Sequence, residues 1–200
     1  MRAKDIVLSL ISLALIGAGV FLIATFFMGS GLGGDSSGGQ QDFTPPLVKE
    51  TTTASEKGPS DNTLRLTIPK MDKISNAEIP TAEGNDEEKL KNYAAIHLEG
   101  TDYPWEKGSN VYIAGHRLGY PETSSFLAFY DLDNLEKGDV VIVADADGTE
   151  YTYEVYRETV VGPFDLSVTE PVEGKDVLTL QTCTLPDYSQ RLIVQAEKVV

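Results

Sequence analysis

Hydrophobic residues fall into three patterns along this chain. From Ile6 to Met28 they form a nearly unbroken run, interrupted only by Ser9, Ser12, Thr25 and small glycines. At about 1.5 Å rise per residue, a helix of that length crosses a hydrocarbon core of roughly 30 Å, so residues 6–28 are expected to be a transmembrane anchor. Arg2 and Lys4 precede the run and the next basic residue is Lys49, which by the positive-inside bias places residues 1–5 in the cytoplasm and everything after the helix outside. A cleaved signal peptide is the competing reading. It fits less well, because the run exceeds an ordinary signal h-region and the following MGSGLGG offers no small-x-small cleavage site. Across residues 29–62 the pattern is lost among Gly-Gly, Ser-Ser-Gly-Gly, Pro45-Pro46 and Thr51-Thr52-Thr53. Such a segment is too polar to offset its ordering entropy by burial, and is expected to be a flexible extracellular linker.

From Thr63 onward, apolar and polar positions alternate in short segments. Leu64, Leu66 and Ile68 share one face of a predicted strand, Arg65 and Thr67 take the other, and Pro69 ends it. Further strands are predicted at Asn110 to Gly115, Val177 to Thr182 and Leu192 to Val200. Val140 to Val143 and Tyr151 to Val155 flank Asp147-Gly148, a dipeptide suited to the positive dihedrals of a hairpin turn. One short helix is predicted over Asp86 to Tyr93, with Asn85 as its N-cap. Many strands and little helix imply a mainly β domain over residues 63–200, a closed or nearly closed barrel.

Charge and composition narrow the function. Sixteen Lys and Arg stand against 31 Asp and Glu, a formal net charge of -15. That balance repels phosphate backbones, so no nucleic-acid partner is expected. Two histidines, a single cysteine and no DxDxDG loop leave no recognisable metal site, and no cofactor is expected. Cys183 has no cysteine to pair with inside the chain. It is therefore either an inert core residue or a working thiol.

Its surroundings favour work. Cys183 ends an apolar strand just before a loop containing Pro186, where a side chain can emerge at the rim of a sheet. A thiol becomes a good nucleophile beside an imidazole, which can stabilise the thiolate and protonate a leaving amine. His116 lies between Gly115 and Gly119 at the end of a predicted strand and is the preferred partner. His97, in the apolar stretch Ala94-Ala95-Ile96-His97-Leu98, suits packing or a substrate wall. Arg191 would lie beside Cys183 if the strands on either side of the 184–190 loop pair antiparallel, and its charged fork would support an oxyanion.

TLQTC at 179–183 with Arg191 in SQRLIVQAE, together with IAGHR at 113–117, resembles the sortase family of cysteine transpeptidases. The likeness extends over roughly 63–200 and is nearest the class E type, whose GNVxIAGHR, LxxLxxGD and TLxTC segments appear here in the same order. It implies an eight-stranded barrel with one or two short helices, in which Cys183, His116 and Arg191 are catalytic. The Cys183 thiolate would cleave the Thr–Gly bond of an LPXTG or LAXTG sorting signal through a thioester. The expected partners are surface proteins bearing that signal and an accepting amine of a peptidoglycan precursor or pilin, with the membrane held through the N-terminal helix. Thr182 would position substrate or oxyanion, and His97, Tyr112 and Tyr120 would line the substrate groove. The lack of a hydrophobic segment after Val200 and of a trustworthy acidic loop points to a calcium-independent, housekeeping-like enzyme. Two other functions fit the same residues, a non-catalytic wall-binding module and a peptidase that only hydrolyses.

Overall fold

A computed structural model describes residues 58, 59 and 61–199. The expected membrane helix and the linker as far as residue 57 lie outside them. Among the described residues no helix is long and apolar enough to cross a membrane.

Among the described residues, nine strands form one sheet: β1 (Leu64–Thr67), β2 (Ala77–Ile79), β3 (Thr81–Ala82), β4 (Ile96–Leu98), β5 (Asn110–Ala114), β6 (Val140–Ala144), β7 (Glu150–Val161), β8 (Val177–Cys183) and β9 (Arg191–Lys198). Their order is β2-β1-β6-β7-β9-β8-β5-β4-β3. Two of these pairings, β3 with β4 and β5 with β8, are parallel. Although β2 and β3 stand at opposite ends of the sheet, they are consecutive in sequence, separated by Pro80 alone. One extended segment bent at Pro80 therefore joins the two edges, and the Pro80 carbonyl accepts from His97 N at 2.9 Å. The barrel is nearly closed by chain continuity. Its nine strands correct the expected eight, because Pro80, which carries no N–H, divides β2 from β3 and the two pair with different neighbours.

The barrel interior follows the alternation read from sequence. Leu64, Leu66 and Ile68 are buried with Val111, Ile113, Val141, Val143, Leu178, Leu180 and Val194, while Arg65 faces solvent. Fully burying each such side chain is worth roughly 1.5–3 kcal/mol. A second cluster occupies the opposite face of β4, β5, β8 and β9, comprising Ile96, Leu98, Tyr112, Ala114, Cys183 and Ile193. It is covered by Leu90 of the helix α1 (Glu87–Asn92) and by Val168 of a 3-10 turn, Leu166–Thr169.

Several boundaries differ from expectation for local reasons. Asp86, not Asn85, caps α1, its carboxylate accepting from Lys89 N at 3.0 Å. Asn85 instead offers its carbonyl to Glu87 N in the preceding turn. Strand β7 continues past Val155 to Val161, because a bulge between Val155 and Arg157 shifts the phase of the alternation. Both β8 and β9 extend one residue further toward their connecting loop than expected, through Cys183 and back from Arg191. The hairpin at Asp147-Gly148 forms, but with a positive φ at Gly148 alone, +86; Asp145 Oδ1 accepts from Asp147 N at 3.0 Å and Thr149 N at 2.9 Å.

Candidate active site

The antiparallel register of β8 and β9 sets Cys183 directly opposite Arg191. Directly opposed side chains lie on one face of a sheet, so thiol and guanidinium share the face of the second cluster. On the other side of β8, β5 runs parallel with Ala114 opposite Gln181. The zipper continues one residue beyond the strand, where Gly115 N donates to Gln181 O at 3.0 Å and Thr182 Oγ1 donates to Gly115 O at 2.8 Å. His116 follows immediately, at the end of β8 that carries Cys183. Two consecutive strands and one segment remote from them in sequence thus deliver Cys183, Arg191 and His116 to one rim of the barrel.

Glycine is needed on either side of His116. A Cβ at Gly115 would lie 2.9 Å from Ala94 O and 3.1 Å from Phe129, and one at Gly119, where φ is +63, would lie 2.1 Å from Ser125 O. The loop is further fixed by Phe129 N donating to His116 O at 3.3 Å. Arg117 is buried, with Nη2 2.6 Å from Asp133 Oδ2 and its guanidinium carbon 5.6 Å from the centroid of Tyr130. This Arg117–Asp133 tie was not anticipated from the sequence, since nothing local links positions 117 and 133.

The expected groove residues divide. Tyr120 belongs to the site: its ring meets His116 edge-on at 5.5 Å between centroids, and its hydroxyl lies 3.3 Å from Glu87 Oε2. Tyr112 lies on the Cys183 face but is fully buried, its hydroxyl donating to Gln181 Oε1 at 2.5 Å. Thr182 points to the face opposite Cys183, being its neighbour in a strand, and its hydroxyl is taken up by Gly115 O. It fastens β8 to the His116 loop and does not line a groove. His97 is also directed away, opposite Ile113 of the barrel interior. Its Nδ1 lies 3.1 Å from Thr81 Oγ1 and its Nε2 3.0 Å from Asp102 O, so it packs as an internal hydrogen-bonding residue against Tyr103.

Burial dominates the electrostatics. The Cys183 thiol is fully buried, which pushes its pKa up, with only partial relief from the positive charge of Arg191. Burial lowers the His116 imidazole to about 4. Burial thus disfavours the charged form of both groups, against the expectation of a preformed thiolate. Arg191 Nη1 donates to Tyr188 O at 3.1 Å and Gln190 O at 3.2 Å, while its Nε is buried with no hydrogen-bond partner among the described residues. Part of the fork is thus held by the loop, and part is left for another acceptor.

The histidines also give a stability prediction. Burial lowers His97, like His116, to about 4, whereas an unfolded histidine titrates near 6.5. Between those values the unfolded chain binds more protons, so the histidines destabilise the fold as pH falls from about 6.5 through 4, on the order of 3 kcal/mol each at the limit. Urea midpoints at pH 7 and pH 5 are expected to differ, with a smaller difference in His97→Gln.

Comparison with known proteins agrees with this architecture. The family model described as "Sortase domain" matches residues 66–199. Sortase A of Streptococcus agalactiae is 36% identical over 91 residues, covering 45% of this chain and 36% of that protein. Sortase D of Bacillus subtilis is 33% identical over 138 residues, 67% of this chain and 62% of that protein, so the chain spans less than two thirds of either relative. Among solved structures, sortase C-1 from Actinomyces oris is similar at a TM-score of 0.60 with 32% identity, covering 70% of this chain and 76% of that one. Sortase C1 from Streptococcus agalactiae gives 0.57 with 34% identity, over 68% and 66%. With a family model matching residues 66–199 and solved relatives of the same fold, the chain belongs to the sortase family.

Proposed function

We propose that this protein is a membrane-anchored cysteine transpeptidase that cleaves a sorting signal of LPXTG or LAXTG kind between Thr and Gly and passes the acyl group to an amine. The observation that carries the proposal is the pairing of Cys183 with Arg191 at the rim where β5 delivers His116. Cys183 is the nucleophile. As its sulfur attacks the threonyl carbonyl, its proton passes to His116, so the neutral resting pair becomes charged only during the reaction. The carbonyl oxygen takes the negative charge and is stabilised by Arg191, whose Nε has no acceptor among the described residues. Collapse breaks the carbon–nitrogen bond, His116 returns the proton to the departing glycine amine, and a thioester remains. An incoming amine then attacks the thioester carbonyl and gives its proton to His116; the carbon–sulfur bond breaks, and His116 passes that proton to the departing sulfur, restoring the thiol.

The finer assignments rest on sequence. The IAGHR, LxxLxxGD and TLQTC segments support a class E type, although the relatives described above are of A, C and D types. The run at 6–28 supports a single-pass anchor with the barrel outside the cell. The acceptor would be a peptidoglycan precursor or a pilin amine.

Product analysis tests the proposal. The full-length chain in detergent, given LPXTG and LAXTG peptides with glycine or diaminopimelate, is expected to incorporate the amine. If only the free acid forms at every amine concentration, the protein is a hydrolase, and if neither peptide is cut the transpeptidase assignment fails.

A further inference from the structure

Strand β8 carries a second polar side chain on the nucleophile's face. Thr179, Gln181 and Cys183 alternate with Leu178, Leu180 and Thr182, so the first three share one side of the sheet. Gln181 is only 1% exposed. Its carboxamide is held at one end, because Tyr112 donates to Oε1 at 2.5 Å. At the other end, Nε2 is buried and has no hydrogen-bond partner among the described residues.

The neighbours explain why no internal partner exists. On the flanking strands Gln181 lies between Ala114 and Ile193, neither of which has a side-chain acceptor. One step further from the rim, Thr179 is engaged, donating to Asn110 Oδ1 at 2.7 Å and accepting from Gln195 Nε2 at 3.3 Å. One step toward the rim stand Cys183 and Arg191. A buried amide donor without a partner carries a desolvation cost that a bound acceptor would remove.

We infer that Gln181 is a substrate-binding residue whose Nε2 donates to an oxygen of the peptide attached at Cys183, with Tyr112 as the positioning residue that fixes the carboxamide. This rests on the proposal that Cys183 is the nucleophile. Two residues along a strand span about 6.6 Å, and an extended peptide rises by about half that per residue. The acceptor is therefore a carbonyl or hydroxyl oxygen within about two residues of the scissile bond. Gln181 contributes to recognising the acyl segment and leaves the reactivity of the free thiol alone.

Gln181→Met keeps the length of the side chain and removes its hydrogen bonds. With a peptide that the unsubstituted full-length chain turns over, Q181M is expected to lower kcat/KM on the order of 10-fold, the range for one lost hydrogen bond. Its rate of Cys183 alkylation by iodoacetamide should stay within about 2-fold of the unsubstituted chain, the margin expected when the thiol's own environment is untouched. Tyr112→Phe should also lower kcat/KM, but not further when added to Q181M. Unchanged kcat/KM in Q181M overturns the inference, as does a fall in alkylation proportional to the fall in turnover. Should Q181M not fold, Tyr112→Phe alone decides, since turnover unchanged from the parent chain refutes the inference and a selective fall in kcat/KM supports it. If the unsubstituted chain forms no thioester at Cys183, the transpeptidase proposal falls and takes this inference with it. An active parent with an equally active Q181M removes the inference alone.

Discussion

Replacing Cys183 with alanine will reduce transpeptidation by roughly 10⁴-fold or more, the scale at which loss of a covalent nucleophile is felt. No other cysteine exists to substitute for it. The same change should leave the barrel folded, because Cys183 contributes only a small side chain to the cluster of Tyr112, Ala114 and Ile193. Circular dichroism and an unaltered α1–β4 region by hydrogen exchange would confirm that the loss is chemical. Substantial turnover by Cys183→Ala would instead place the nucleophile elsewhere or make the activity water-driven.

His116→Ala is expected to lower kcat by about 10²- to 10⁴-fold, the range for a general acid and base. A pH profile distinguishes this role from simple packing. Burial holds the imidazole at about 4 and raises the thiol, so kcat/KM of the unsubstituted chain should climb as pH passes 4 and stay level through neutrality. It should fall only where the thiol ionises, since the proton that His116 must shuttle then starts on neither group. His116→Gln, which fills the same space but carries no proton, should lose activity without restoring it at any pH. An acid limb near 6.5 in the unsubstituted chain would contradict the buried, uncharged resting pair.

Much of the barrel was legible because single-strand alternation is a local property. Leu64, Leu66 and Ile68 declared their face by spacing alone, and the loop between Cys183 and Arg191 was short enough to imply an antiparallel pair. Non-local pairing was not legible. Nothing near residue 110 announces that β5 will lie parallel to β8, yet that contact brings His116 to the site. Pro80 hid the two short strands that close the barrel, since three- and two-residue segments carry no period. The bulge after Val155 broke the phase of β7.

Strand parity held information that motif resemblance obscured. Thr182 adjoins the nucleophile in the TLQTC segment, which suggested a role toward substrate. One residue along a strand reverses the face, however, and its hydroxyl serves Gly115 instead. The same parity singles out Gln181, a polar residue two positions from Cys183 on the same face of β8. Charge was uninformative in another way. The expectation of an ionised thiol assumed that proximity to imidazole would dominate, whereas full burial of Cys183 weighs more heavily than the nearby Arg191.

The most direct measurement is mass mapping of the full-length chain quenched in acid during turnover of a sorting-signal peptide without added amine. The account predicts one acyl group per chain, attached at Cys183 and released by hydroxylamine. Turnover with no adduct, or with an adduct on any other residue, would contradict it.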